Sequence, residues 1–195
     1  MSVIIGIREP NRIILAGDKR GSSKEGRLLS DSLQKVILIN EHLCLATAGN
    51  DAIGTAIMID VNKSDDKEQM TVEDFLDVVT QFYQKVRDAN IQSFLTLPFC
   101  FLIAGKKKDG SIGLVAGQNK GGSIDAAETA AMIFSPIDCS FNQCAEILAR
   151  NKRTGRVDYI EETIRNIAEV SKVVSSTGDK WIYDMQKSAG DLVGF

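Results

Sequence analysis

The sequence predicts an α+β fold in which two antiparallel sheets stack on each other and helices cover both outer faces, and three observations predict it. Strand-like runs arrive in pairs joined by short turns, as hairpins do. Those runs are almost continuously apolar, the pattern of strands covered on both faces. Helical periodicity is confined to two blocks, one in the middle and one late, so the βαβ alternation of a doubly wound parallel sheet is missing. With 195 residues and 21.3 kDa, the chain has the size of one domain with one sizeable core. No internal repeat or linker divides it, and residues 1–195 are read as a single domain.

The elements follow in order. Val3 to Ile7 and Arg12 to Ala16 flank Glu9-Pro10-Asn11, a strong turn signal, and form the first hairpin. A Gly/Ser-rich loop covers Gly21 to Ser32. Lys35 to Ile39 and Leu43 to Thr47 form the second hairpin around Asn40-Glu41-His42. Gly49-Asn50-Asp51 caps a helix from about Ala52 to Val61, and Asn62 to Gln69 is a charged loop. Thr71 and Asp74 make a partial capping box, after which Phe75, Val78, Val79, Phe82 and Val86 mark one buried face of a long helix. Phe99 to Ala104 and Ser111 to Ala116 flank a basic turn, with short strands near Ser123 to Asp125 and Ala130 to Phe134. Ser140 caps a helix through Arg150. Asp158 to Val174 has helical spacing, and Trp181 to Met185 and Asp191 to Val193 are the closing strands.

Composition removes several functions. Apolar residues are 44% and charged residues 25%, which is ordinary for a globular protein, and the net charge of −3 offers no bulk attraction to nucleic acid or an anionic membrane. Lys106-Lys107-Lys108 is read as a solvated turn. No apolar run approaches a membrane span, and Arg8 and Glu9 interrupt what a signal peptide would continue, so the chain is read as cytoplasmic. Cys44, Cys100, Cys139 and Cys144 are read as reduced thiols, too scattered for a disulfide scaffold and without the histidines of a zinc site. No cofactor or metal is expected. The single histidine, His42, falls in a turn and is weak support for a Ser-His-Asp triad.

The chemistry starts at Ser2. Removal of Met1 would leave one residue with both a hydroxyl and an α-amine, so the hydroxyl can attack a carbonyl while the amine, with an ordinary pKa of about 7.7 to 8.0, acts as base. Asp18 ends the second strand and Lys35 opens the third, which can bring an ammonium beside the end of the first strand. Its positive field would favour the alkoxide and depress the amine pKa, although an exposed ion pair would carry no such meaning. Gly49 offers an unobstructed backbone N–H, suited to an oxyanion or equally to a helix-entry turn.

The stretches Ser2-Val-Ile-Ile-Gly-Ile, Ile13-Ile-Leu-Ala-Gly-Asp-Lys-Arg-Gly-Ser22, Gln34-Lys-Val and Ala46-Thr-Ala-Gly49 resemble the opening of proteasome β-type and HslV-type subunits of the N-terminal nucleophile (Ntn) hydrolases. The resemblance covers the first fifty residues strongly and the later element order diffusely. It implies a four-layer αββα sandwich, a peptide-binding groove and a homo-oligomer, commonly a ring that some members pair with an ATP-driven partner. Position by position it implies that Ser2 is the nucleophile, Asp18 the strand-end aspartate, Lys35 the catalytic lysine and Gly49 the oxyanion-hole glycine. Ser22 matches a position whose backbone pairs with extended substrate, Arg20 lies in its supporting loop, and Thr47 and Asp51 match positions lining the first specificity pocket. Ser140 resembles a serine near the nucleophile, without that serine's flanking glycines. The family's nucleophile is threonine, and its late aspartate and serine fall here at Val174 and Thr177.

Two classes of function follow. The first is an amide-bond hydrolase acting on a peptide or small amide, with Asp51 suited to a basic side chain or, equally, serving as a helix-start anion. The second is a noncatalytic assembly or binding subunit on the same sandwich. A cysteine enzyme ranks last, because no thiol has a base nearby in sequence.

Overall fold

The computed structural model describes residues 2–23 and 25–195; the expected removal of Met1 therefore lies outside the described residues. Pro10 and Asn11 turn the chain between β1 (Ile4–Glu9) and β2 (Arg12–Asp18), which pair antiparallel from Ile4 opposite Gly17 to Glu9 opposite Arg12. The Gly/Ser-rich segment holds a small two-stranded sheet of β3 (Gly21–Ser22) and β4 (Leu28–Ser30) where the sequence suggested only loop. Strands of two and three residues are too short to carry a period-two signal.

Next come β5 (Val36–Asn40), β6 (Leu43–Gly49) and α1 (Asp51–Asn62), with Asn50 as N-cap accepting from the Ile53 N–H. The helix α2 (Val72–Asp88) starts in a full capping box: Thr71 Oγ1 accepts from the Asp74 N–H, and Asp74 accepts from the Thr71 N–H at 3.0 Å. A short helix α3 (Gln92–Thr96), not foreseen, leads to β7 (Phe99–Lys106), β8 (Ile112–Lys120), β9 (Ser123–Glu128) and β10 (Ala131–Phe134). The chain closes with α4 (Phe141–Arg153), α5 (Tyr159–Val170), β11 (Gly178–Asp184) and β12 (Ala189–Gly194). The sequence pattern carries α5 on to Val174, but the helix stops at Val170. There Ser171 is extended and its hydroxyl donates to Asp138 at 2.6 Å, so the polar side chain is captured by another segment.

One five-stranded antiparallel sheet has the order β10-β1-β2-β11-β12, and the other β5-β6-β7-β8-β9. Their facing sides share a core that includes Ile4, Ile13, Leu15, Val36, Leu102, Leu114 and Trp181. Intervening residues point the other way. Ile5, Ile7, Ile14 and Ala16 pack with Ile147, Ile160, Ile164 and Ile167 of α4 and α5. Phe99, Phe101 and Ile103 pack with Ile53, Ile57, Phe75, Val79 and Tyr83 of α1 and α2. Period-two side-chain alternation with both faces buried is why these strands read as unbroken apolar runs. At Gly6 a Cβ would lie 3.0 Å from Leu114 Cδ1 and 3.1 Å from Leu102 Cδ1, so the missing side chain lets the sheets close. The result is the expected α+β sandwich in four layers.

All four cysteines are free. Cys139 and Cys144 flank the Ser140 cap of α4 with sulfurs 3.2 Å apart, the positions at which apolar side chains staple a helix start. Among the described residues no helix is long and apolar enough to cross a membrane.

Candidate active site

The end of β2 buries a carboxylate completely. Asp18 Oδ1 accepts from the Val3 N–H at 3.1 Å and from Lys35 Nζ at 2.7 Å, while Oδ2 accepts from the N–H groups of Arg20 at 2.8 Å and Ser175 at 3.2 Å. Four donors, one of them an ammonium, compensate a charge that would be costly to bury alone. Lys35 is itself only 3% exposed and also donates to the Arg20 carbonyl at 2.6 Å. Burial pushes its ammonium below the ordinary lysine value, and the attraction of Asp18 opposes that shift without cancelling it. The exposed surface pair weighed against a functional one is thus not what forms; this pair is buried.

Val3 is bound by Asp18 through its N–H, which fixes the backbone directly after Ser2, and Ser2 is 8% exposed. Ser2, Lys35, Thr47, Gly49 and Asp51 line one recess of about 20 Å³, room for a single water-sized group. Gly49 reaches it because β6 ends there in a backbone conformation with φ of +102°, against the Pro98 carbonyl. A Cβ at this position would lie 2.3 Å from that oxygen, so only glycine fits. The next residue, Asn50, donates its N–H to the same carbonyl at 2.8 Å and begins α1.

The recess adjoins a groove of about 600 Å³, with Ser2, Leu33, Gly49, Asn50 and Asp51 common to both. Gly21, Ser22, Leu29 and Ser30 of the β3–β4 sheet form one wall, and Ala52, Leu97, Pro98 and Ile137 extend the lining. Its volume lies in the range of small-molecule and peptide-side-chain pockets, about 300 to 1,000 Å³.

Ser2, Asp18, Lys35, Gly49, Ser22, Thr47 and Asp51 are thus gathered at this corner, with Thr47 lining only the recess and Ser22 only the groove. Two expected residues stand apart. The Arg20 guanidinium is taken by Asp31 at 2.7 Å and by the Lys172 carbonyl, so only its backbone serves the corner. Ser140 is exposed and its hydroxyl accepts from the Gln143 N–H at 3.2 Å as the cap of α4; it lines neither cavity. His42 lies at the far end of β5 from Lys35, 2.9 Å from Glu41.

Sequence reasoning passed over Ser175, which completes the shell around Asp18, and the apolar residues of the groove. Ser175 Oγ shares a 2.8 Å hydrogen bond with Thr177 Oγ1, and the Thr177 carbonyl accepts from the Lys19 N–H, so this loop is clamped to the end of β2. Its contribution is a backbone N–H, which every residue but proline has and which leaves no mark in a sequence. Val174, where the resemblance would place an aspartate, is buried in the core beneath α4 and α5.

A serine just ahead of β1, a buried lysine and a two-sheet sandwich wrapped in helices are the features that the resemblance to the Ntn hydrolases implies. Residues 2–57 match the family model described as proteasome subunit, a stretch that runs from Ser2 through Asp18 and Lys35 to Gly49 and Asp51. The match supports a proteasome-type subunit, at large and not of the HslV type in particular. No curated protein matches the chain.

Proposed function

We propose that this chain is an amide-bond hydrolase of peptidase type with Ser2 as its nucleophile. The observation that carries the reading is the buried Lys35–Asp18 pair on a recess shared with Ser2 and Gly49. With Met1 removed, the Ser2 amine takes the hydroxyl proton and Oγ attacks the substrate carbonyl. The oxygen of the tetrahedral intermediate draws a hydrogen bond from the Gly49 N–H, inside a recess of the size one oxygen needs. The amine then protonates the leaving nitrogen, an acyl ester remains on Ser2, and the amine activates the water that releases it. Lys35 acts through its field, lowering the amine pKa and stabilising negative charge at Oγ. Asp18 holds it, and Ser175 and the Arg20 backbone hold Asp18.

The substrate is a peptide or small amide laid along the groove. Both residues of β3 line it while pairing on one side with β4, which leaves an edge where an extended backbone can add. Residues 1–195 work as one domain in a homo-oligomer, a ring of the kind proteasome subunits generally form, with an ATP-dependent partner as feeder. No cofactor enters the scheme. Four free thiols fit a reducing cytoplasmic setting.

The test combines an intact mass with turnover. The active protein should lack one methionine, and Ser2→Ala should abolish hydrolysis of a fluorogenic peptide amide while circular dichroism stays native. Full activity in a preparation that keeps Met1 quantitatively, or in Ser2→Ala, sinks the mechanism. One observation favours the second reading, a noncatalytic assembly or binding subunit: the apolar Val174 cannot supply the carboxylate that the family carries at its place. Under that reading the oligomer forms and the intact mass retains Met1.

A further inference from the structure

We infer that the groove beside Ser2 selects a large apolar side chain on the acyl portion of its substrate, and that Leu29, Leu97 and Ile137 set this preference. The inference rests on the hydrolase reading for its turnover, though not for its binding. Among the described residues lining the groove, Asp51 is the one ionisable side chain, so a basic preference would have to come from it.

Its charge is already engaged. Asp51 lies in the first turn of α1, whose N-terminal peptide dipoles attract an anion, and its field acts on the Lys35 ammonium. It is also exposed, where water screens what remains. The helix start and the solvent together weaken the pull of this carboxylate on an incoming cation.

The remaining lining is dominated by carbon. Leu29 from β4, Leu33, Ala52 from α1, Leu97 and Pro98 ahead of β7, and Ile137 between β10 and α4 converge on it from separate parts of the chain. Leu29 and Ile137 are 69% and 59% exposed, an unusual condition for large aliphatic side chains on the wall of one cavity. Apolar surface held open in a concave site marks binding of an apolar group, because covering it removes that surface from water. Ser22, Ser23 and Ser30 add neutral hydroxyls suited to a peptide backbone, and they bring no charge.

Two measurements test the inference separately from the nucleophile. The full-length protein is offered N-acyl tripeptide amides with a fluorogenic leaving group, identical except for leucine, phenylalanine, arginine or aspartate at the residue whose carbonyl is attacked. We expect kcat/KM for leucine and phenylalanine to exceed that for arginine by about tenfold or more, the scale of apolar pocket discrimination. Ile137→Ser and Leu97→Ser should each erode this lead several-fold, mainly through KM. Dye-labelled peptides of the same four sequences are then titrated into the Ser2→Ala protein by fluorescence anisotropy, with the same order of affinity expected. Arginine bound as tightly as leucine, or a preference untouched by Ile137→Ser and Leu97→Ser, overturns the inference. Leucine bound in preference without Ser2-dependent turnover upholds the apolar subsite and overturns the hydrolase reading instead.

Discussion

Asp18 takes hydrogen bonds from Val3, Arg20, Lys35 and Ser175, and Lys35 is the only one of the four that brings a charge. Its removal leaves a buried carboxylate with amide donors alone. Lys35→Met should therefore cost about 3 kcal/mol at neutral pH, read as a lowered urea midpoint. The pH dependence has a definite sign. The folded pKa of Lys35 lies below its ordinary value of 10.5, so between the two values the unfolded chain holds the extra proton and stability rises with pH. The burial cost of the ammonium acts in full below the folded pKa and fades as pH climbs toward 10.5. Thermal melts should accordingly show the gap between wild type and Lys35→Met widening over that alkaline window; a gap that narrows there would contradict a depressed lysine. Lys35 and Asp18 could be singled out in the sequence because their charge is written in their identity. Ser175 could not, since its role is a main-chain N–H, nor could Ile137, whose place on the groove depends on how a connecting segment crosses the sheet edge.

At the scale of elements, local chemistry decided what could be read. Thr71 announced α2 four residues ahead of its first buried aromatic, Phe75, with Asp74 three residues after the cap, and both halves of the box form. Thr71→Ala should cost about 1 kcal/mol without altering the groove, measurable as a shift in urea midpoint with unchanged peptide binding. The hairpins at Glu9-Pro10-Asn11 and Asn40-Glu41-His42 were equally legible from turn residues between apolar runs. What stayed hidden were the β3–β4 sheet, too short for periodicity, and the end of α5, where Asp138 removes Ser171 from the helix. Gly49 joins element to site: β6 ends there at positive φ against the Pro98 carbonyl. Gly49→Ala should destabilise the protein by about 3 kcal/mol, from left-handed strain plus the forced shift of the turn before β7. Calorimetry would read this, and a loss below about 1 kcal/mol would mean that the close contact at Pro98 is absent.

Across the whole molecule, the shared core between the sheets joins two helix-covered halves, and neither sheet can be removed without exposing the other's inner face. One cooperative unfolding transition is the expected outcome, with calorimetric and van't Hoff enthalpies equal, as the proposed single domain over residues 1–195 requires. Leu114→Ala, wholly buried between the sheets, should lower that transition by about 2 to 5 kcal/mol without splitting it. Two separated transitions would instead mean that the halves fold independently. This architecture was legible in outline because strands buried on both faces need two coverings, which the two blocks of amphipathic helix supply. How the strands are ordered was not, since β11 reaches β2 and β10 reaches β1 from more than a hundred residues away.

The Ser175 N–H that completes the Asp18 shell comes from a stretch 157 residues downstream. Synthesis therefore produces Ser2, Asp18 and Lys35 early and their last tether late. A nascent chain halted on the ribosome before residue 175 carries Ser2, Asp18 and Lys35 with the charge pair one donor short, so the corner is completed only after that stretch has emerged and folded back.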